Sequence, residues 1–144
     1  MTGSPEEAFD KAFELAARLA ETMQGVLAER GLTPSRAEVI YVLARDGELM
    51  QRALADALRC TPRHVTSLVD QLQGAGLVRR LPHPHDRRAV AVSLTPKGSV
   101  TAQWINDSRR SGARAVLGDV PPDDMTAFVR VADLILGTVA PSAT

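Results

Sequence analysis

The chain has 144 residues, a length that suits one domain and excludes two full-sized enzyme domains. Apolar residues make up 44% of it and charged residues 24%, the balance of a soluble globular protein rather than a disordered or fibrous one. Its 17 basic and 17 acidic residues give a formal net charge of zero, which excludes a uniformly basic protein that coats nucleic acid by bulk charge.

The charge is unevenly distributed along the chain. Residues 1–58 carry 6 basic and 10 acidic side chains, residues 59–114 carry 10 and 3, and residues 115–144 carry 1 and 4. Of the 17 basic residues 15 are arginine, whose guanidinium group forms forked hydrogen bonds with phosphates and base edges. The central segment is therefore the candidate for contact with nucleic acid.

The chain carries no sign of export, disulfide bonding or membrane insertion. A single cysteine, Cys60, excludes an intrachain disulfide and a zinc site built from cysteines. The acidic N-terminus has neither the basic nor the apolar region of a signal peptide, and no run of 18 apolar residues occurs. We expect a cytoplasmic protein with no membrane partner.

Helix starts are marked by proline pairs: Ser4-Pro5, Thr33-Pro34, Thr61-Pro62, Thr95-Pro96 and Pro121-Pro122. With a short unmarked helix after residue 50, they predict six helices at about residues 5–30, 34–46, 51–58, 62–74, 96–117 and 122–137. The apolar residues of these helices are Phe9, Phe13, Ala16, Ala20, Met23 and Leu27 in one stripe of the first helix, Ala37, Ile40, Tyr41 and Ala44 on the second, Leu54, Ala55 and Leu58 on the third, and Val65, Leu68, Val69 and Leu72 on the inward face of the fourth.

Between the fourth and fifth helices the periodicity changes to that of strands. Leu77–Leu81 and Ala89–Leu94 are short strand-like runs, and the second alternates apolar and small residues. The intervening Pro82–Asp86 contains two prolines, which we expect to prevent strand pairing and to form the tip of a loop. The third and fourth helices with their short turn predict a helix-turn-helix, and the hairpin after it a wing.

Several short motifs in residues 32–97 resemble the winged-helix core of the MarR (multiple antibiotic resistance regulator) transcription factors. The motifs are Leu32-Thr33-Pro34, Leu54-Ala55, Val65-Thr66, Leu68-Val69-Asp70, Leu72, Gly76-Leu77-Val78-Arg79-Arg80, Asp86-Arg87-Arg88 and Val92-Ser93-Leu94-Thr95-Pro96-Lys97-Gly98. The helices before and after this core also agree with the family, so the resemblance covers nearly the whole chain.

We therefore expect a mostly α fold: a winged helix-turn-helix core with a two-stranded β wing, flanked by N- and C-terminal dimerisation helices. Residues 1–31 and 96–144 would dimerise, and residues 32–95 would bind DNA, all within one compact domain. The apolar residues of the first and sixth helices lie on more than one face, which favours a partner surface in a second copy over a monomer. A twofold dimer would place two recognition helices about one DNA turn apart.

The outward face of the fourth helix is the predicted reader of DNA, since a helix N-terminus attracts phosphates. Arg63 could form a forked pair with guanine, and Thr66 could contact a thymine methyl group. The predicted contacts on this helix are Thr61, Arg63, His64, Thr66 and Ser67. The alternative is an ordinary solvated helix face. The basic segment and the adjoining wing favour DNA contact over this alternative.

The wing adds Arg80, Asp86, Arg87 and Arg88 to the predicted DNA contacts. The resemblance implies that Arg88 enters the minor groove and that Asp86 steadies it through an ion pair. The alternative is that some wing arginines only prevent pairing of an edge strand. Arg79 is the arginine we expect to be structural, with Asp86 as its partner.

Other chemistry is poorly supported. His83 and His85 lack further metal ligands at fixed spacing and could instead tighten DNA contact by gaining charge below neutral pH. Cys60 is expected to be inert packing, and Gly74-Ala75-Gly76 is a helix stop rather than a dinucleotide motif. We expect no metal, no cofactor and no enzymatic activity.

The resemblance implies a small aromatic or anionic ligand bound between the dimer helices and the winged domain. Tyr41 and Trp104 are the candidate pocket residues, although core packing is the more favoured role for both. The predicted function is a homodimeric repressor that binds a palindromic operator in double-stranded DNA and is released by such a ligand. The alternatives are a ligand-independent activator, a winged-helix module that binds protein, and a small enzyme.

Overall fold

The computed structural model describes residues 3–86 and 88–139. The helices and strands among them are α1 (Pro5–Ala28), α2 (Pro34–Asp46), β1 (Leu49–Met50), α3 (Gln51–Leu58), α4 (Pro62–Gly74), β2 (Val78–Pro82), β3 (Val90–Leu94), α5 (Pro96–Leu117) and α6 (Pro122–Thr138). The mostly α winged helix-turn-helix fold is confirmed. The chain up to Ile105 forms one compact unit, and the chain from Asn106 onward forms a second.

The predicted helix starts are confirmed for α1, α2 and α4. In each, a hydroxyl accepts a hydrogen bond from the backbone amide three residues later: Ser4 at 3.1 Å, Thr33 at 3.3 Å and Thr61 at 3.1 Å. Proline follows each capping residue, at a position where its missing amide hydrogen has no helical acceptor. The local sequence therefore sets where these helices begin.

The sheet has three antiparallel strands in the order β1-β3-β2. The sequence predicts the two strands of the wing, β2 and β3, and misses β1. Leu49 of β1 pairs with Val92, and Arg80 of β2 pairs with the same residue from the other side. The expectation that Pro82 stays outside the ladder is wrong, because it pairs with Val90 as the last residue of β2. An edge strand tolerates proline at its end, where little of the ladder is lost.

The core of the first unit confirms the predicted inward face of α4. Val65, Leu68, Val69 and Leu72 are all buried, and they belong to one apolar cluster that includes Leu54 of α3. This burial leaves the opposite face of α4 in solvent, where the sequence predicts DNA contacts.

The apolar residues that the sequence marks on α2 are only in part its buried residues. Tyr41 and Ala44 are exposed, and the buried residues of the helix are Ala37, Val39, Ile40, Val42 and Leu43. The helix packs against α1, α3, α4 and β3, so its buried surface is broader than a single stripe. A period of 3.6 residues identifies one stripe and does not show that neighbours cover a helix from several sides.

The start of α5 is fixed tightly to the end of the helix-turn-helix. The Thr95 amide donates to the Leu77 carbonyl at 3.1 Å, and the Thr95 hydroxyl donates to the Gly76 carbonyl at 2.6 Å. The same hydroxyl accepts from the Gly98 amide at 3.0 Å. Gly98 is buried, and a side chain there would overlap the Leu77 carbonyl oxygen. Thr95 and Gly98, two residues of the Val92-to-Gly98 motif, are thus explained by packing and hydrogen bonding.

Large apolar side chains remain exposed on both terminal helices. Phe9 and Phe13 of α1 are 63% and 64% exposed, with ring centroids 4.8 Å apart. None of the described residues of α6 is buried, and Leu134 and Leu136 are 67% and 65% exposed. Within residues 3–86 and 88–139, no helix combines the length and apolar character needed to cross a membrane.

Candidate nucleic-acid interface

The turn before α4 places the N-terminus of that helix in solvent. Arg59 ends α3 in the left-handed conformation with φ 52°, which makes the short turn of the helix-turn-helix. Thr61 then caps α4 by accepting from the His64 amide at 3.1 Å. Arg63, His64 and Ser67 are exposed, on the side of the helix opposite its buried residues. An exposed helix N-terminus with these side chains is suited to phosphates and base edges.

Thr66 is exposed, but its hydroxyl group is occupied. It donates to the Pro62 carbonyl at 2.9 Å and accepts from the Gln51 side-chain amide at 2.8 Å. The γ-methyl group is the part of Thr66 left for an apolar contact, which is consistent with the predicted role at thymine.

Arg80 is less exposed than Asp86 and Arg88 of the wing, and its side chain is 25% exposed. It forms an ion pair with Asp70 at 2.6 Å, and its Nη1 donates to the Gln73 side-chain oxygen at 2.8 Å. Its Nη2 donates to the Thr66 carbonyl at 3.3 Å, and its Nε makes a longer bond of 3.5 Å to Gln51. We call Arg80 with Gln51, Thr66, Asp70 and Gln73 the Arg80 cluster.

The Arg80 cluster joins three elements, because Gln51 begins α3, Arg80 lies in β2, and the other members lie on α4. The sequence did not indicate these pairings. Gln51 carries no charge or motif that marks it, and the Leu68-Val69-Asp70 motif gives no partner for Asp70. Direct DNA contact by Arg80 stays a prediction, and its guanidinium group is already bound within the protein.

Asp86 and Arg88 of the wing are exposed. Asp86 accepts a hydrogen bond from the Arg88 backbone amide at 2.9 Å, a local turn that carboxylates commonly form with the amide two residues on. This contact fixes the backbone at the wing tip and leaves the Arg88 guanidinium group outside the hydrogen bond. Arg87 lies outside the described residues. Arg79 donates to the Ser93 hydroxyl at 3.2 Å across the β2–β3 pair, so its partner is not the expected Asp86.

The wing histidines form a local turn. The His85 amide donates to Nδ1 of His83 at 3.1 Å, and the two rings lie edge to face with centroids 6.0 Å apart. Among the residues that the structure describes, no three histidine, cysteine, aspartate or glutamate side chains are grouped so that they could hold a metal ion.

Cys60 is half-buried and packs against the apolar core, as expected for an inert cysteine. Burial raises the pKa of the Cys60 thiol, and the negative charge of Glu38 raises it further. A thiol with a raised pKa is a poor nucleophile near neutral pH, because little of it is ionised.

A cleft of about 260 Å³ lies at the C-terminal end of α4 and the beginning of α5. Its lining residues are Arg30, Gly31, Leu32, Arg36, Gln71, Leu72, Ala75, Leu77, Lys97, Val100 and Thr101. The described lining thus contains three cations, several apolar side chains and no carboxylate. We call it the cationic cleft.

Two of the three cations in the cationic cleft are held by neutral groups. Arg36 donates from Nε to Gln71 at 2.8 Å and from Nη1 to the Gly31 carbonyl at 3.4 Å. Lys97 donates to the Ala75 carbonyl at 2.9 Å. These contacts position the cations without neutralising their charge, which leaves the cleft suited to an anion.

The two candidate pocket residues differ in their surroundings. Trp104 is half-buried against the core, and the guanidinium group of Arg30 lies 4.7 Å from its ring centroid. Trp104 therefore lies beside the cationic cleft through Arg30, although it does not line it. Tyr41 is 44% exposed, beside Arg45, and outside the cationic cleft.

Comparison with known proteins gives a consistent result. The model of the MarR family matches residues 32–90. The chain is 26% identical over 127 residues to the transcriptional repressor YetL of Bacillus subtilis, a match that covers 87% of this chain and 76% of YetL.

Two solved structures share the fold. The structure of Streptococcus pneumoniae FabT in complex with DNA has a TM-score of 0.86 at 13% identity, covering 94% of this chain and 96% of FabT. Bordetella bronchiseptica BpsR, whose DNA binding is regulated by 6-hydroxynicotinic acid, has a TM-score of 0.74 at 19% identity, covering 90% of this chain and 98% of BpsR.

Proposed function

Because this chain belongs to the MarR family of DNA-binding transcriptional regulators, we propose that it is a repressor that binds a palindromic operator as a homodimer. Its relatives are regulators rather than enzymes, in agreement with the expectation from the sequence. The observation that carries the proposal is the capped, exposed N-terminus of α4 with Arg63 in its first turn. Since the target is chromosomal DNA, we also propose a cytoplasmic location.

We assign the DNA contacts to two parts of the interface. Arg63, His64, Ser67 and the methyl group of Thr66 enter the major groove, and Thr61 approaches a phosphate at the helix N-terminus. On the wing, Arg88 and its neighbour Arg87 reach the minor groove or the backbone, while Asp86 supports the backbone of the wing tip. Residues 32–95 contain all of these groups and form the proposed DNA-binding region.

We assign dimerisation to residues 1–31 and 96–144. Exposed phenylalanine and leucine side chains on α1 and α6 support this, because a monomeric protein rarely exposes so many large apolar side chains on the same helix.

Sedimentation equilibrium should give twice the chain mass. Leu136→Glu should shift the protein toward monomer because it places a charge among apolar residues. Thr126→Glu on the same helix is the matched control, and a monomeric wild-type protein would refute the assignment.

The operator can be found by selecting duplexes from a random DNA pool with the purified protein. We expect an inverted repeat whose half-sites are about 10 to 10.5 base pairs apart, or a multiple of that. No enrichment at all would favour a protein-binding module instead. A reporter gene with the selected site at its promoter then distinguishes a repressor from an activator. We expect the protein to lower expression of the reporter, and higher expression would show an activator.

We also propose that a small aromatic carboxylate releases the protein from DNA by binding in the cationic cleft. Arg36 and Lys97 would bind the carboxylate, and Leu72 and Val100 would contact the ring. The cleft is smaller than the usual site of a drug-sized ligand, so it suits a single-ring molecule. Regulation of BpsR by an aromatic acid supports a ligand of this class. An occupant would touch Leu72 of α4 and could therefore alter the recognition helix.

Benzoate is a suitable probe, with benzyl alcohol as the neutral analogue. By calorimetry, we expect benzoate to bind and benzyl alcohol not to bind. Lys97→Gln should weaken benzoate binding, because a charge-assisted bond is lost. Arg109→Gln, which changes an exposed arginine outside the cationic cleft, is the control. Equal binding of benzoate to wild type and Lys97→Gln would place the ligand elsewhere.

A further inference from the structure

The Arg80 side chain faces helix α4 rather than solvent. Thr66, Asp70 and Gln73 are spaced four and three residues apart, so they form one stripe along α4. The Arg80 guanidinium group reaches all three, at distances between 2.6 and 3.3 Å. A planar group with five donors can hold three acceptors at once only in a defined orientation. Arg80 therefore connects the outward stripe of α4 to β2 in one orientation, beside the apolar packing of the opposite face of α4.

The ion pair also changes the charge of the helix surface. Asp70 is 60% exposed and lies on the outward side of α4, one turn after Ser67 and Thr66. A free carboxylate at this position would repel the phosphates of an approaching duplex. The Arg80 side chain, at 2.6 Å, offsets that charge. The contacts to Gln51, Gln73, Asp70 and the Thr66 carbonyl leave at most one N–H of the Arg80 guanidinium group, on Nη1, for a phosphate.

Gln51 extends the same arrangement to the first helix of the helix-turn-helix. Its side-chain amide donates to the Thr66 hydroxyl at 2.8 Å, while its side-chain oxygen accepts from Arg80 at 3.5 Å. The start of α3, the middle of α4 and strand β2 are thus connected through one guanidinium group and one amide.

We propose that Arg80 is a positioning residue that sets the orientation of α4 on DNA and does not itself bind DNA. The inference rests on the proposed DNA-binding role of α4. It replaces the expectation that Arg80 is itself one of the DNA contacts of the wing. Arg63 and Ser67 lie on the helix that Arg80 orients, so loss of Arg80 misplaces the groups that distinguish one base pair from another.

The test compares Arg80→Ala with the wild type in fluorescence anisotropy, using a selected duplex and a scrambled duplex at several salt concentrations. For the selected duplex we expect a loss of about five- to 150-fold, the effect of one mismatched base pair. Affinity for the scrambled duplex should fall less, through the uncompensated charge of Asp70 alone, so the ratio of the two affinities falls. The slope of log affinity against log salt should stay the same, because no phosphate contact is lost.

Arg80→Lys separates orientation from charge. Lysine keeps the positive charge but lacks the planar fork, so it should not restore discrimination between the duplexes. Asp70→Asn should reproduce part of the loss. For the double variant Arg80→Ala, Asp70→Asn, the fold-loss of affinity for the selected duplex should be smaller than the product of the two single fold-losses, because the residues act as a pair. Thermal unfolding of each variant shows whether the comparison is made on folded protein.

Two results would overturn the inference while leaving the proposed function intact. One is a fall in salt slope of about 0.9 per contact, or about 1.8 per dimer, with equal weakening on both duplexes and rescue by lysine. That would make Arg80 a phosphate contact. The other is unchanged affinity of Arg80→Ala for both duplexes. Failure of the wild-type protein to bind any duplex would instead refute the proposed function.

Discussion

Gly98 provides a sharp quantitative prediction because its surroundings are backbone. A Cβ atom at this position would overlap the Leu77 carbonyl oxygen and would lie 3.0 Å from the Leu77 carbonyl carbon. It would also lie 3.2 Å from Cδ2 of Leu94. A flexible side chain could rotate away from such an overlap, whereas the Leu77 carbonyl is already bonded to the Thr95 amide. Gly98→Ala must therefore move α5 away from the start of β2.

The expected cost follows from two opposing effects. Overpacking of a rigid site costs about 1 to 3 kcal/mol, and the backbone obstacle at Gly98 favours the upper end. Alanine gains about 0.5 to 1 kcal/mol over glycine within a helix. We expect a net loss of about 2 kcal/mol in the free energy of unfolding. With a denaturant slope of about 2 kcal/mol per molar urea, the midpoint should fall by about 1 M.

Urea unfolding followed by circular dichroism and by Trp104 fluorescence measures this change. All variants are compared at one protein concentration, because dimerisation makes the midpoint concentration-dependent. Gly74→Ala at the end of α4 is the control, since nothing lies within 4 Å of an added Cβ there. We expect no loss of stability in the control. An unchanged or raised midpoint for Gly98→Ala would refute the argument from close packing.

Three further predictions concern the interface and the thiol. Arg63→Ala should cost about 1 to 3 kcal/mol on a selected duplex and relax sequence preference, as measured by repeating the random-pool selection. Arg88→Ala should lower the affinity for selected and scrambled duplexes by the same factor, as measured by anisotropy. It should also reduce the steepness of log affinity against log salt by about 0.9 per chain. Unequal loss of affinity would contradict a contact of Arg88 with the phosphate backbone or with the negative potential of the minor groove. Because burial raises its pKa, the Cys60 thiol should react with iodoacetamide at pH 8 more slowly in the folded protein than in urea, and equal rates would contradict its burial.

The sequence was sufficient where the determining physics is local. Helix starts at Ser4, Thr33 and Thr61 were predictable because capping needs only a hydroxyl and a nearby amide. The buried face of α4 was predictable because one side of that helix is apolar at a spacing of three and four residues. Strand β1 was missed, since two residues cannot display an alternating pattern.

The contacts between elements could not be read from the chain. The charge of Arg80 suggested DNA, but its partners Asp70 and Gln73 are brought to it only by the packing of β2 on α4. The cationic cleft likewise draws Arg36 from α2 and Lys97 from α5, which are far apart in sequence. Such pairings depend on tertiary geometry, whereas composition shows only that an excess of basic residues exists.

We propose that the basic segment of residues 59–114 binds the phosphates of duplex DNA through α4 and the wing. The affinity of the wild-type protein for a selected duplex, measured across a range of sodium chloride concentrations, tests this binding. We predict a straight line of log affinity against log salt with a steep negative slope, about −0.9 for each phosphate contact. A slope close to zero would contradict the account.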